Sequence, residues 1–159
     1  MKNAIILFFV QIIIGGLFYF INIMTPHPGQ SSGNGNPAII VMGVIVLLFI
    51  WSVLLWGRVL SNFDFPYKVY RIFIIFILLH WTFGVYFQRQ SFLEYRELLS
   101  SIQQKNFGVV DLEYISQITS FMSIHVNNQY FNANTYLLCL SLSILIAILL
   151  RIILNRKKA

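Results

Sequence analysis

Apolar residues fall in four long runs along this chain. A glycine- and proline-rich stretch, a short basic stretch and a long amphipathic stretch separate them. A helix rises about 1.5 Å per residue, so crossing a hydrocarbon core of about 30 Å takes near 20 apolar residues. Residues 4–23, 38–56 and 136–154 meet that length, and residues 44–50 form the densest apolar run. Residues 72–87 fall short and are expected to borrow Val69, Tyr70 and Gln88, with Arg71 and Arg89 marking the ends. Backbone amides in lipid must be satisfied within their own segment, so these runs are read as helices. The alternating pattern of barrel strands is absent. The predicted fold is an all-α integral membrane protein with four transmembrane helices, one unit over residues 1–159.

The two longer connections differ in character. Residues 25–37 hold Gly29, Gly33, Gly35 and Pro26, Pro28, Pro37 with no charge, which reads as a mobile tether without regular structure. Residues 88–135 are too many for a structureless connector in a small protein. Ser91 and Glu94 have capping-box spacing, and Phe92, Tyr95, Leu98, Leu99 and Ile102 then share one helical face. Gly108 is the expected stop. Asp111 caps a second amphipathic stretch with Leu112, Ile115, Ile118 and Met122 on one side. Two amphipathic helices are therefore expected between the third and fourth spans, covering the bundle end, lying in the headgroup plane or facing a partner. Phe92, Tyr95, Leu99 and Ile102 form the candidate partner face.

Composition agrees with the pattern. The chain has 159 residues, 58% apolar and only 10% charged, against roughly 25% charged in a soluble domain. Of the 11 Lys and Arg residues, eight flank the spans on one side if both termini lie in the cytoplasm, and three lie on the other. That bias predicts an N-in, C-in topology with residues 88–135 outside the cell. Lys2 followed by a long apolar run without a small-residue cleavage site reads as a retained signal anchor, with a cleaved signal peptide as the alternative. The net charge of +6 is spread along span ends and forms no patch interleaved with exposed aromatics, so nucleic acid is not an expected partner. Low charge, abundant isoleucine and Lys/Arg-flanked spans suggest a bacterial inner-membrane protein at the cell membrane.

Candidate chemistry is sparse. The single cysteine, Cys139, excludes an intrachain disulfide and a zinc set, and buried among leucines it reads as inert. Only His80 lies within a span, so paired axial ligation of haem is excluded, and His27, His125, Asp111 and Glu113 lack metal-ligand spacing. No cofactor is expected. Gln11, His80 and Ser143 sit near mid-depth of three spans and could meet as an interhelical hydrogen-bond cluster or line a path. Cys139, Ser143 and Ala147 make a small-residue stripe, and Gly15-Gly16 a second close-approach point, for bundle packing or for a second copy of the chain. Trp51, Trp56 and Tyr136 are expected at interfaces, and Arg151 is expected to reach the headgroups, as is the basic tail of Arg156, Lys157 and Lys158. Glu94 and Glu97 look like a solvated helix face without a partner base. The reading is a non-catalytic interaction protein, an accessory, signalling-modulator or immunity-type factor with a membrane-protein partner. The alternative is a small transporter or channel subunit.

Overall fold

A computed structural model describes residues 1–30, 32 and 35–156. Among the described residues six α-helices follow in order: α1 (Lys2–Ile23), α2 (Ala38–Leu60), α3 (Tyr67–Phe107), α4 (Leu112–Ile118), α5 (Asn127–Tyr130) and α6 (Ala133–Arg156). A 3-10 turn at Ile124–Val126 leads into α5. Four of these helices, α1, α2, α3 and α6, are long and apolar enough to cross a membrane. Their outward faces carry large apolar side chains in the open, such as Phe76 at 67% and Phe83 at 71% exposure. Such surface costs nothing in hydrocarbon and is untenable in water. The chain therefore has the make-up of a small multi-pass membrane protein.

The four long helices do not close into a symmetric bundle. α1 packs along α2, α2 along α6, and α3 along the opposite flank of α6. One core joins Leu7, Val10, Ile14, Phe18 and Ile21 of α1 to Ile45 and Leu55 of α2. A second core, Tyr70, Ile77 and Ile148, holds α3 to α6. Close approach of that pair depends on Gly84. A Cβ there would stand 2.7 Å from Leu138 Cδ2 and 3.2 Å from Asn134 Oδ1. Gly15, by contrast, has ordinary clearance from the Tyr136 ring, and Gly16 has open space.

The third span and the expected first amphipathic helix prove to be one helix of 41 residues, about 60 Å long. Nothing between Phe87 and Ser91 breaks it, because Gln88, Arg89 and Gln90 are all good helix formers. Ser91 consequently caps nothing, and its hydroxyl donates to Gln129 Oε1 at 3.2 Å. The helix stops at Gly108, whose φ of +72° is the left-handed conformation a glycine adopts freely. The second stretch is short. Asp111 Oδ1 accepts from Tyr114 N at 2.9 Å and starts α4, which ends at Ile118. Thus one long helix and several short ones replace the expected pair. Residues 25–37 are not a free tether where they are described: Gly29 lies against Ile102, and Ser32 and Asn36 bond the segment after α4. Lys157 and Lys158 of the basic tail lie outside the described residues.

Candidate functional site

At mid-depth the structure builds two separate polar contacts. Gln11 of α1 donates to Ser52 Oγ of α2, which donates to Ser143 Oγ of α6 at 3.4 Å, and Ser143 donates to the Leu140 carbonyl at 2.7 Å. Ser52 and Ser143 are buried. His80 does not join them. It stands on the other flank of α6, where its Nδ1 is 3.2 Å from Ser141 Oγ, and Trp81 Nε1 donates to the same oxygen at 3.1 Å. The physical reason is the helix order: α6 lies between α3 and α2, so equal depth does not bring His80 and Gln11 together. Neither set opens a continuous polar path, and both end on hydroxyl or carbonyl oxygens. Chemically they fix helix rotation, as interhelical bonds of about 0.6 kcal/mol each do.

Cys139, Ser143 and Ala147 face inward. Cys139 packs on the α1–α2 core, Ser143 bonds Ser52, and Ala147 is buried. The stripe is spent on packing within one chain. Two expected interfacial anchors also turn in. Tyr136 Oη donates to the Gln11 carbonyl at 3.2 Å beside the Phe18 ring, and Trp56 packs on the α1–α2 core with a buried Nε1 that finds no partner. Trp51 stays exposed.

The richest polar chemistry lies where α1 ends and α6 begins. Asn36 and Asn127 exchange amide bonds, 2.7 Å one way and 3.2 Å the other, while Asn36 also donates to the Met122 carbonyl and accepts from Ala38 N at the start of α2. Asn22 donates to the Phe131 carbonyl at 2.7 Å, and Thr25 Oγ1 accepts from Asn128 N at 2.8 Å. Gln88 of α3 accepts from Asn132 and Asn134 at 3.2 Å each and donates to the Gln129 carbonyl. Asn134 reaches the Gly84 carbonyl at 2.9 Å. Short helices leave many backbone groups without intrahelical partners, and these amides supply them. The run of asparagines after Val126 was the visible signal of this lattice; Ser52, Ser141 and Gly84, single residues inside apolar runs, gave a much weaker one.

Beyond the lattice sits a small subdomain. Tyr95 and Leu99 of α3 pack on Ile115 and Val126, with Phe92 and Ile118 at the margin. Tyr95 Oη donates to the His125 carbonyl at 2.8 Å, and His125 Nε2 lies 2.8 Å from Ser32 Oγ. Burial pushes the Tyr95 hydroxyl above its usual range and holds His125 below the usual 6.5. The expected partner face is therefore covered largely by the chain itself: Tyr95 and Leu99 are buried, Phe92 and Ile102 are half-buried, and Leu99 and Ile102 border a cavity. That cavity, about 560 Å³, lies between α3 and α4 over Leu99, Ile102, Ile115 and Ile118, with Phe107 and Val109 on its rim. Among the described residues, no group of three or more His, Cys, Asp or Glu could hold a metal ion. No family model, no curated protein and no solved structure matches this chain.

Proposed function

We propose that this is a non-catalytic membrane protein with both termini in the cytoplasm, which works by seating an apolar segment of a partner membrane protein in the outer groove between α3 and α4. Two features support the orientation. Lys2, Arg58, Lys68, Arg71 and Arg151 gather at one end of the spans, and the tether and the subdomain share the other. The observation that carries the docking role is the apolar rim. Phe107 and Val109 line the cavity and are 76% and 69% exposed, and Leu112 at the start of α4 is 68% exposed. Past Gln90 the unbroken helix α3 runs about another 25 Å, and on this reading that length carries the rim clear of the hydrocarbon. Apolar surface next to a preformed groove fits a protein partner.

Photo-crosslinking in native membranes tests this. A benzophenone side chain at Phe107 or Leu112 is expected to give one discrete protein adduct, lost when Val109→Asp charges the rim. The same probe at Glu97, on the polar face, is expected to give none. Adducts with lipid alone, or equal adducts from both faces, would overturn the reading, and an adduct of twice the chain mass would identify the partner as a second copy. The transporter alternative draws no support from the geometry, since His80 bonds Ser141 on one flank of α6 while Gln11 and Ser143 meet through Ser52 on the other.

A further inference from the structure

We propose that the basic end of the α2–α6 pair holds a binding site for the phosphate-bearing headgroup of an anionic membrane lipid. A cavity of about 420 Å³ opens there between the two helices. Two small residues make the room: Ala147 forms part of its wall, and a Cβ added at Gly57 would meet nothing within 4 Å. Two arginines line the same space, Arg58 from α2 and Arg151 from α6, and Ser61 lines it as well.

Arg151 is held in place by groups that leave its charge unneutralised. Its Nε donates to Tyr70 Oη at 2.8 Å, and Nη2 donates to the Phe63 carbonyl at 3.1 Å. Tyr70 is buried, so this anchor is fixed by the α3–α6 core. Both acceptors are neutral, and the positive charge stays available to an anion. A guanidinium suits phosphate oxygens because its N–H groups can pair with two of them at once.

The walls choose between a lipid and a free anion. Leu54, Leu150 and Leu154 line the cavity and remain about half exposed along helices that continue into the apolar spans. A headgroup seated between the arginines would therefore send its acyl chains down an apolar groove. Phe63 and Phe65 stack at 5.2 Å beside Tyr70 and set the headgroup level with aromatic rings. Zwitterionic lipid offers the same phosphate with a cation attached, so the site favours a net negative headgroup.

The test is lipid titration of the full chain in detergent, read by native mass spectrometry, with phosphatidylglycerol and phosphatidylcholine of equal chain length. Phosphatidylglycerol is expected to remain bound where phosphatidylcholine is lost. Arg58→Gln removes one cation that lies outside the α3–α6 anchor, and about a fivefold loss of phosphatidylglycerol affinity is expected from one guanidinium near an anionic surface. Gly57→Leu fills the cavity without a backbone clash and is expected to abolish the preference while leaving helicity unchanged. Equal binding of the two lipids, or no effect of Arg58→Gln, would overturn the proposal. Displacement of the lipid by millimolar inorganic phosphate would also overturn it, since it would show a site for free anions.

Discussion

The mid-membrane layer and the segment that joins α4 to α6 are held together by opposite means. Between the spans, large apolar faces are left open and a few hydroxyls and amides bond one another: Gln11 to Ser52 to Ser143 on one flank of α6, and His80 and Trp81 to Ser141 on the other. In the joining segment the apolar core is small, and asparagine and glutamine side chains tie backbone carbonyls of different elements together. The difference follows from the surroundings. Lipid satisfies apolar surface without help, so the spans need shape and few bonds. The short helices between Leu112 and Tyr130 leave many backbone ends without intrahelical partners, and side-chain amides bond several of them.

Gly84→Leu is the strongest way to break the contrast, because it strikes both layers. Its Cβ would overlap Leu138, and Asn134 would lose the close approach that its bond to the Gly84 carbonyl needs. A loss of about 3 kcal/mol is expected from overpacking at this contact, read as a lower denaturation midpoint in detergent. Asn127→Leu acts on the lattice alone. It leaves the Asn36 amide buried with its reciprocal partner gone, and about 2 kcal/mol of destabilisation is expected in the same assay. Ser52→Ala acts on the spans alone. Removing the central hydroxyl of the Gln11–Ser143 line is expected to cost about 1 kcal/mol, roughly one or two interhelical bonds. If Ser52→Ala costs more than Asn127→Leu, the contrast is wrong.

The smallest effect is that of pH. Burial depresses the folded-state pKa of His125, so the unfolded chain binds its proton first as pH falls through 6.5. Stability of the subdomain is therefore full above that value and declines below it, until the folded form is protonated as well. Protection factors for amide exchange at Tyr95 and Val126, which divide out the intrinsic pH dependence of exchange, are expected to fall between pH 7 and pH 5, with those in α2 unchanged. His125→Gln is expected to remove the difference.

Much of the architecture was legible and its assembly was not. The lengths of the apolar runs located all four long helices, Gly108 marked a stop that only a left-handed residue provides, and Asp111 marked a start. The join at Ser91 was misread because serine followed three residues later by glutamate is also compatible with a helix interior, and no glycine or proline enforces a break there. Depth along a span is readable from position, but rotation and neighbour order are not, which is why His80 was grouped with Gln11 and Ser143. Periodicity likewise puts Tyr95 and Leu99 on one apolar face, the expected partner face, without showing that Ile115 and Val126 of the same chain cover it.

The unbroken course of α3 makes it a single strut, clasped at Gly84 by Leu138 and Asn134, tied further on to Gln129 and the His125 carbonyl, and bonded near its start to Arg151 through Tyr70. One rigid element thus joins the small core around Ile115 and Val126 to the contact that orients the arginine.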